Sequence, residues 1–246
     1  MIRCIGRREA SAYPNRVIAM FTDRMYRLAR HWSNRELVRL ASLFTGDVVN
    51  VSAWDDRDKE GHHYQDYFTN ATSYSYTNYG GYRGFQNMAN EYLLDLVGDV
   101  PEELVRRFDV VFNHTTLEHI FDVRKAFANL CELSRDIVVV VVPFAQVQHE
   151  SNDWKDYWRF TPTCLRRLYQ ENGLSMVYEA ISPHRNSAVY LLAVGSRRPE
   201  SWANRLPTQR VNGMAGTWIG AGLFGRTIQA VRSCVEVMRD VRNTKE

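Results

Sequence analysis

Apolar and polar positions change their period several times along the chain, and each change predicts an element. In the first 45 residues, the segment NRVIAMFTDRMYRLARHW places Val17, Met20, Phe21, Tyr26 and Leu28 at spacings that fit a helical stripe. Ser33 with Glu36 has the spacing of a capping box and predicts a second helix over NRELVRLASLF, ended by Gly46. The apolar run DVVNVSA then predicts a strand, followed by a polar loop and a short helical stretch around YQDYF. SYSYTNY alternates aromatic and small polar residues as a strand does, and GGYRG is a turn. FQNMANEYLLDLVGD predicts a short helix leading into the strand LLDLV.

The second half is more sharply patterned. FDVVFNH, residues 108 to 114, reads as a strand with an apolar core and a polar C-terminal end. Asp122 is placed to cap a helix over VRKAFANLCELS. In DIVVVVVPF an isoleucine precedes five valines, a run apolar on both faces that belongs in the middle of a covered sheet. Thr161-Pro162 predicts a helix start and Gly173 its stop. SMVYEAIS and SAVYLLAVGS flank the turn-like PHRN and predict an antiparallel pair.

Strands alternating with helices over about 150 residues predict an α/β fold: a Rossmann-like, doubly wound, mostly parallel sheet with a terminal antiparallel strand. The expected organisation is an N-terminal helical extension over 1–45, the sheet domain over 46–196 and a basic tail over 197–246. Ligands in such sheets sit beyond the C-terminal strand ends. That rule selects 52–58, 78–81, 95–99, 113–119 and 143–149 for inspection.

Composition adds little to this. At 246 residues, 45% hydrophobic and 24% charged, the chain suits a soluble globular protein. A net charge of +3 is too small to argue for nucleic acid. The four cysteines, Cys4, Cys131, Cys164 and Cys234, show no pairing pattern, which fits a reducing compartment. Arg3, Arg7 and Arg8 interrupt any signal-peptide core, and MAGTWIGAGLFG is too short to span a bilayer. The expectation is a cytoplasmic protein without a transmembrane segment. In the tail, Ile228, Val231, Val235 and Met238 share a helical face opposite Arg232 and Arg239. That face suits packing on the protein's own core, a partner chain (a homodimer through this helix) or a membrane surface.

The segment FDVVFNHTTLEHIFDVRKAFANL resembles class I S-adenosylmethionine-dependent methyltransferases, in which a strand beginning FD-V is followed by LEH. DIVVVVVPF resembles that family's next strand, and DYWRFTPTCLRRLYQENGLSMV resembles a segment of bacterial members, some of which act on sugars or polysaccharides. The resemblance covers about residues 46 to 196. It implies S-adenosylmethionine as cofactor and a sugar or surface-polysaccharide hydroxyl as acceptor. The family's first strand ends in V-L-D/N-x-G-x-G, whereas here Val48-Val49-Asn50-Val51 runs into Ser52, Ala53 and Trp54, so the glycine motif is degenerate. The resemblance places Ser52, Ala53, Trp54, Asn78, Asp95, Leu96 and Asn113 at the cofactor. Asn78 stands where the family carries an acid for the ribose hydroxyls, and Asp95 where the adenine amino group is met.

Three histidines are candidates for chemistry. His149, expected above the fifth strand, suits a general base that takes a proton from an acceptor hydroxyl. Its alternative is an exposed loop histidine. Asn113 and His114 suit contacts near the transferred methyl or a polar pair bonding the next turn. Glu118 and His119 suit chemistry or the capping of the following helix. In DWKDYWRF, aromatics interleaved with charges suit a carbohydrate surface, with Tyr157 and Arg159 touching the acceptor and Trp158 and Phe160 packing inward. No metal is expected: His62-His63 with Asp55, Asp56 and Asp58 lacks a third well-spaced ligand group. The second reading, from Trp54 and Asn78, is a methyltransferase-fold protein without catalysis that serves as a binding or scaffolding subunit.

Overall fold

The computed structural model describes residues 16–81, 84–183, 188–207 and 211. Seven strands form one sheet in the order β3-β2-β1-β4-β5-β7-β6. They are β1 (Gly46–Val51), β2 (Ala71–Asn78), β3 (Glu91–Leu93), β4 (Phe108–His114), β5 (Ser134–Ala145), β6 (Ser175–Ile181) and β7 (Val189–Ser196). Strands β1 to β5 are parallel, while β7 pairs antiparallel with both β5 and β6. This is the expected mostly parallel, Rossmann-like sheet. The last strand in the chain is the antiparallel one, and it inserts between its two neighbours.

The valine run explains why β5 is central. Val138, Val140 and Val142 join one core with Ala126, Phe127 and Leu130 of α2 (Val123–Leu133) and Leu165, Leu168 and Tyr169 of α3 (Pro162–Glu171). Ile137, Val139 and Val141 join the opposite core with Leu37, Leu40 and Ala41 of α1 (Arg16–Ala41). Successive side chains leave a strand on opposite faces, so an unbroken apolar run requires cover on both. The Tyr169 hydroxyl pins α3 to the sheet by donating to the carbonyls of Val138 (3.0 Å) and Ala193 (3.1 Å). A Cβ at Gly195 would come within 2.2 Å of that ring, which is why a glycine interrupts β7 there.

The caps read from the sequence form at two helices. The Asp122 side chain accepts from the Lys125 amide, and the Thr161 hydroxyl accepts from the Cys164 amide. Two expectations do not hold. The N-terminal region forms one continuous helix of 26 residues, so the Ser33–Glu36 capping box does not form. Ser33 lies mid-helix, where its hydroxyl donates to the Arg30 carbonyl, and Glu36 is engaged by Arg39 and the Tyr178 hydroxyl. The second is the short helix expected before the third strand. Asn87 and Asn90 adopt φ values of 58° and 63°, and the Glu91 carboxylate accepts from the Gln86 and Met88 amides. That loop geometry is incompatible with a helix, and the strand is Glu91–Leu93 rather than LLDLV. The tail helix, and the dimer suggested through it, lie outside the described residues. Among the described residues no helix is long and apolar enough to cross a membrane.

Beneath the sheet, Asp136 gathers the start of β5 and the end of β7. Its carboxylate accepts from Ser196 Oγ, the amides of Arg197 and Arg198, and Trp202 Nε1, and it pairs with the Arg198 guanidinium at 3.1 Å. Burial pushes its pKa up, but these donors prevail and hold it below the ordinary value of 3.8. The contribution is therefore present above that value and is lost as the pH falls through the lower folded one. Asp136→Asn is expected to cost about 1–3 kcal/mol in urea denaturation at neutral pH. The difference from the unsubstituted protein should shrink as the pH falls below the aspartate range. A cost that stays constant down that acid series would show that packing, not charge, is lost.

Candidate functional site

The strand order reverses between β1 and β4, and a crevice of about 810 Å³ opens beyond their C-terminal ends. Its walls are loops: Ser52 and Trp54 after β1, Asn78 and Tyr79 after β2, and Leu94 to Val97 after β3. Thr115, Thr116 and His119 to Asp122 follow β4, and Asn152 to Lys155 with Tyr157 come from the segment after β5.

The first loop lacks glycine but keeps a backbone that glycine would favour. Ser52, Trp54 and Asp56 have φ values of 59°, 55° and 56°. Left-handed backbone at a non-glycine residue costs about 1–2 kcal/mol, so the loop needs compensation, and the hydrogen bonds provide it. Asn78 clasps Trp54 on both sides: Oδ1 accepts from the Trp54 amide at 2.7 Å, and Nδ2 donates to the Trp54 carbonyl at 3.0 Å. Buried Asp56 accepts from Asn50 Nδ2, the Tyr74 hydroxyl and the Gln65 amide. The indole of Trp54 is 43% exposed and forms a wall of an open crevice.

Asn78 Nδ2 also reaches Glu91 Oε1 at 2.7 Å, so both of its side-chain polar atoms face the protein. Asp95 sits on the crevice wall between buried Leu94 and Leu96, and its Oδ1 accepts from the Val97 amide. Ala53 contributes a backbone bond to Thr77 and no wall.

At the end of β4, Asn113 is fully buried: Nδ2 donates to the Val51 carbonyl, while Oδ1 finds no partner. His114 does not reach the crevice. Its ring lies against α1, with Nε2 2.9 Å from Ser33 Oγ and Nδ1 3.1 Å from Thr115 Oγ1. Burial, then nearby Arg30, pushes its pKa well below the ordinary histidine value, so it is neutral at working pH. Arg30 donates to the hydroxyl of Thr115, whose φ is 50° and which lines the crevice. Thus α1 holds the loop after β4 in a strained shape.

His119 does reach the crevice, and His149 stands behind it with ring centroids 5.0 Å apart. Trp154 packs its ring edge-on to both, at 4.5 and 5.2 Å. Burial lowers the pKa of both imidazoles. Glu118, beneath them, is buried and its carboxyl is pushed up to about 8 by that burial. Asp156 receives a bidentate clasp from Arg159, at 2.6 and 2.7 Å, and sits 3.3 Å from His149 Nδ1. Arg159 is spent on that clasp and is not a wall residue, whereas Tyr157 is. Trp158 instead donates its indole N–H to the Ile120 carbonyl. Phe160 is buried in the core.

The polar loop at 55–63 uses its acids structurally. Asp58 accepts from the amides of Glu60 and His62 and from the Tyr67 hydroxyl. Sequence reasoning missed Thr115, Thr116, Ile120, Phe121, Trp154 and Lys155 as wall residues. The strand-end rule pointed at the first two. Phe121, 72% exposed, carried no signal beyond its place after LEH.

No family model matches the chain, and no curated protein matches it in sequence. Solved structures resemble it at low identity. Over 76% of this chain and 91% of the other, it is similar to the 1,6-didemethyltoxoflavin-N1-methyltransferase of Burkholderia thailandensis, at 16% identity and a TM-score of 0.48. That structure holds 1,6-didemethyltoxoflavin and S-adenosylhomocysteine. Over 71% of this chain and 97% of the other, it is similar to the N-methyltransferase NodS of Bradyrhizobium japonicum, at 12% identity and a TM-score of 0.48. Over 76% and 86%, it is similar to the magnesium protoporphyrin IX methyltransferase of Synechocystis, at 13% identity and a TM-score of 0.46.

Proposed function

We propose that the chain is an S-adenosylmethionine-dependent O-methyltransferase whose acceptor is a hydroxyl of a sugar or surface-polysaccharide precursor. The observation that carries the reading is the crevice at the strand-order reversal, with a carboxylate at one end and an aromatic, imidazole-bearing rim at the other. Its volume of about 810 Å³ suits a ligand of cofactor size. Leu94 and Leu96 give an apolar bed for an adenine ring, and Asp95 gives an acceptor for its amino group. The backbone of Ser52 to Trp54 borders the region of the methionine moiety. S-adenosylmethionine, when bound, supplies a methyl on a cationic sulfur: the O–CH₃ bond forms as the S–CH₃ bond breaks and the electron pair stays on sulfur.

The chain's own work is positioning and proton handling. Tyr157, Trp154 and Phe121 offer aromatic faces suited to the apolar side of a pyranose ring. His119 is the histidine in the wall, so the hydroxyl proton leaves toward the cluster it forms with Glu118 and His149. Arg159 acts through Asp156, as a brace, rather than on the acceptor.

One observation favours the second reading, a binding or scaffolding subunit. Asn78 spends its amide on Trp54 and Glu91, which leaves the ribose hydroxyls without the usual acid.

Calorimetry with S-adenosylhomocysteine tests the first reading. Saturable micromolar binding is expected, and silence at millimolar ligand would leave the subunit reading. Asp95→Asn is expected to weaken that binding by about tenfold, the difference between a charge-assisted and a neutral hydrogen bond. An unchanged affinity would take Asp95 out of the site. Trp54→Gly relieves the left-handed backbone but removes a wall, so a loss of affinity is expected. Binding that appears only in the Trp54→Gly protein would show the indole to be a plug.

A further inference from the structure

Glu118, His119 and His149 each bring one ligand-capable atom within 4.8 Å of the others. The turn Leu117–His119 after β4 supplies two of them, and the exit from β5 supplies the third. Among the described residues this is the one such group.

The surroundings of the three side chains settle which atoms they present. His119 Nδ1 lies 2.6 Å from the Lys155 carbonyl oxygen. A carbonyl only accepts, so Nδ1 carries the hydrogen and Nε2 keeps its lone pair. That Nε2 faces Glu118 Oε1 at 3.8 Å. His149 Nδ1 lies 3.3 Å from Asp156 Oδ2, a carboxylate held rigid by Arg159 and by the His149 amide at 2.8 Å. With its N–H on that carboxylate, His149 carries its lone pair on Nε2, and the Gln146 amide nitrogen, 3.2 Å from Nδ1 and 3.3 Å from Nε2, has to turn aside for a cation to take it. An imidazole whose far N–H is tied to a carbonyl or carboxylate is the arrangement that orients metal-binding histidines. The third side chain supplies an independent sign of a missing partner: Glu118 Oε2 is buried and accepts no hydrogen bond. The Oε1 of the neighbouring Gln146 is likewise buried without a partner.

We propose that Glu118, His119 and His149 bind a divalent transition-metal cation at the acceptor end of the crevice. Two imidazole nitrogens and one carboxylate suit Zn²⁺, Fe²⁺ or Mn²⁺ and leave coordination positions open. Bonds of about 2.0–2.2 Å draw the three side chains together by roughly an ångström, a change within reach of side-chain torsions. His119 lines the crevice, so an open position faces it and suits a substrate oxygen. Cation binding stands on this geometry alone, whereas its use on an acceptor hydroxyl rests on the methyltransferase reading. In that use the cation favours the ionised hydroxyl and replaces the imidazole acceptor of the metal-free reading, because its ligand lone pairs are occupied, so the proton leaves to water.

The test is equilibrium dialysis of the full chain against Zn²⁺, with metal analysis, and against Co²⁺, read by the ligand-field absorption of the bound ion. One equivalent per chain is expected. His119→Ala and His149→Ala should abolish stoichiometric binding, and Glu118→Gln should weaken it by about tenfold or more. Asp156→Asn, which leaves all three ligands in place, should weaken it by about 10–100-fold. Circular dichroism confirms that each variant is folded, and Glu118→Gln preserves side-chain volume if the alanines fail. Absence of a stoichiometric cation, or binding unchanged in all four variants, overturns the proposal. S-adenosylhomocysteine calorimetry on the same samples separates the two readings. Cofactor product bound without metal sinks this inference alone, and metal bound without cofactor product sinks the methyltransferase reading alone.

Discussion

The site depends on the reciprocal clasp between Asn78 and the backbone of Trp54. The loop after β1 has to cross the C-terminal ends of the sheet with three non-glycine residues in left-handed backbone. Each costs about 1–2 kcal/mol, and a typical hydrogen bond returns about 1 kcal/mol, so one bond does not hold the loop. The two bonds of Asn78, the three donors on Asp56 and the bond from the Ala53 amide to the Thr77 carbonyl together do. The crevice is open because this loop is held to β2. The same clasp occupies the amide of Asn78, a residue that also lines the crevice.

A second brace acts from the opposite side. Arg30, Ser33, His114 and Thr115 form a polar seam between α1 and the end of β4. A neutral His114 suits that seam, because a buried imidazolium beside Arg30 would be repelled. The seam fixes Thr115, and with it the turn that carries Glu118 and His119. Helix α1 thus packs on the sheet, with Leu37, Leu40 and Ala41 in one core with Val139 and Val141.

The imidazole-bearing rim of the crevice is built from two segments that meet only in the folded chain. The amides of Tyr157 and Trp158 donate to the Glu118 carbonyl, at 2.8 and 3.2 Å, and the Phe160 amide donates to Pro143. These bonds lay the segment after β5 across the turn after β4. Trp154 then orients the two imidazoles, and Asp156 with Arg159 fixes the outer one. The residues at 153–159 read in sequence as a carbohydrate surface therefore divide into wall, brace and packing.

Local pattern by itself determined the central and closing strands of the sheet, though not β3. The valine run, FDVVFNH and the closing pair carry their period in the residues themselves, and the Asp122 and Thr161 caps act over three residues. Strand type and two-sided burial are local or near-local consequences of side-chain chemistry. Of the five stretches that the strand-end rule selected, 52–58, 78–81, 95–99 and 113–119 supply crevice walls and 143–149 supplies none. Tertiary structure decided what each side chain there does. Nothing local to Ser33 or Glu36 announces that β4 and β6 occupy them, so a capping-box spacing became mid-helix contacts. Nothing local to Asn78 shows that Trp54 takes its amide, or to His149 that it meets Glu118 and His119. Trp54 lies 24 residues from Asn78, and Glu118 and His119 lie about 30 from His149. A side chain's role in a site is set by the donors, acceptors and charges that burial brings to it, and only the folded chain specifies those.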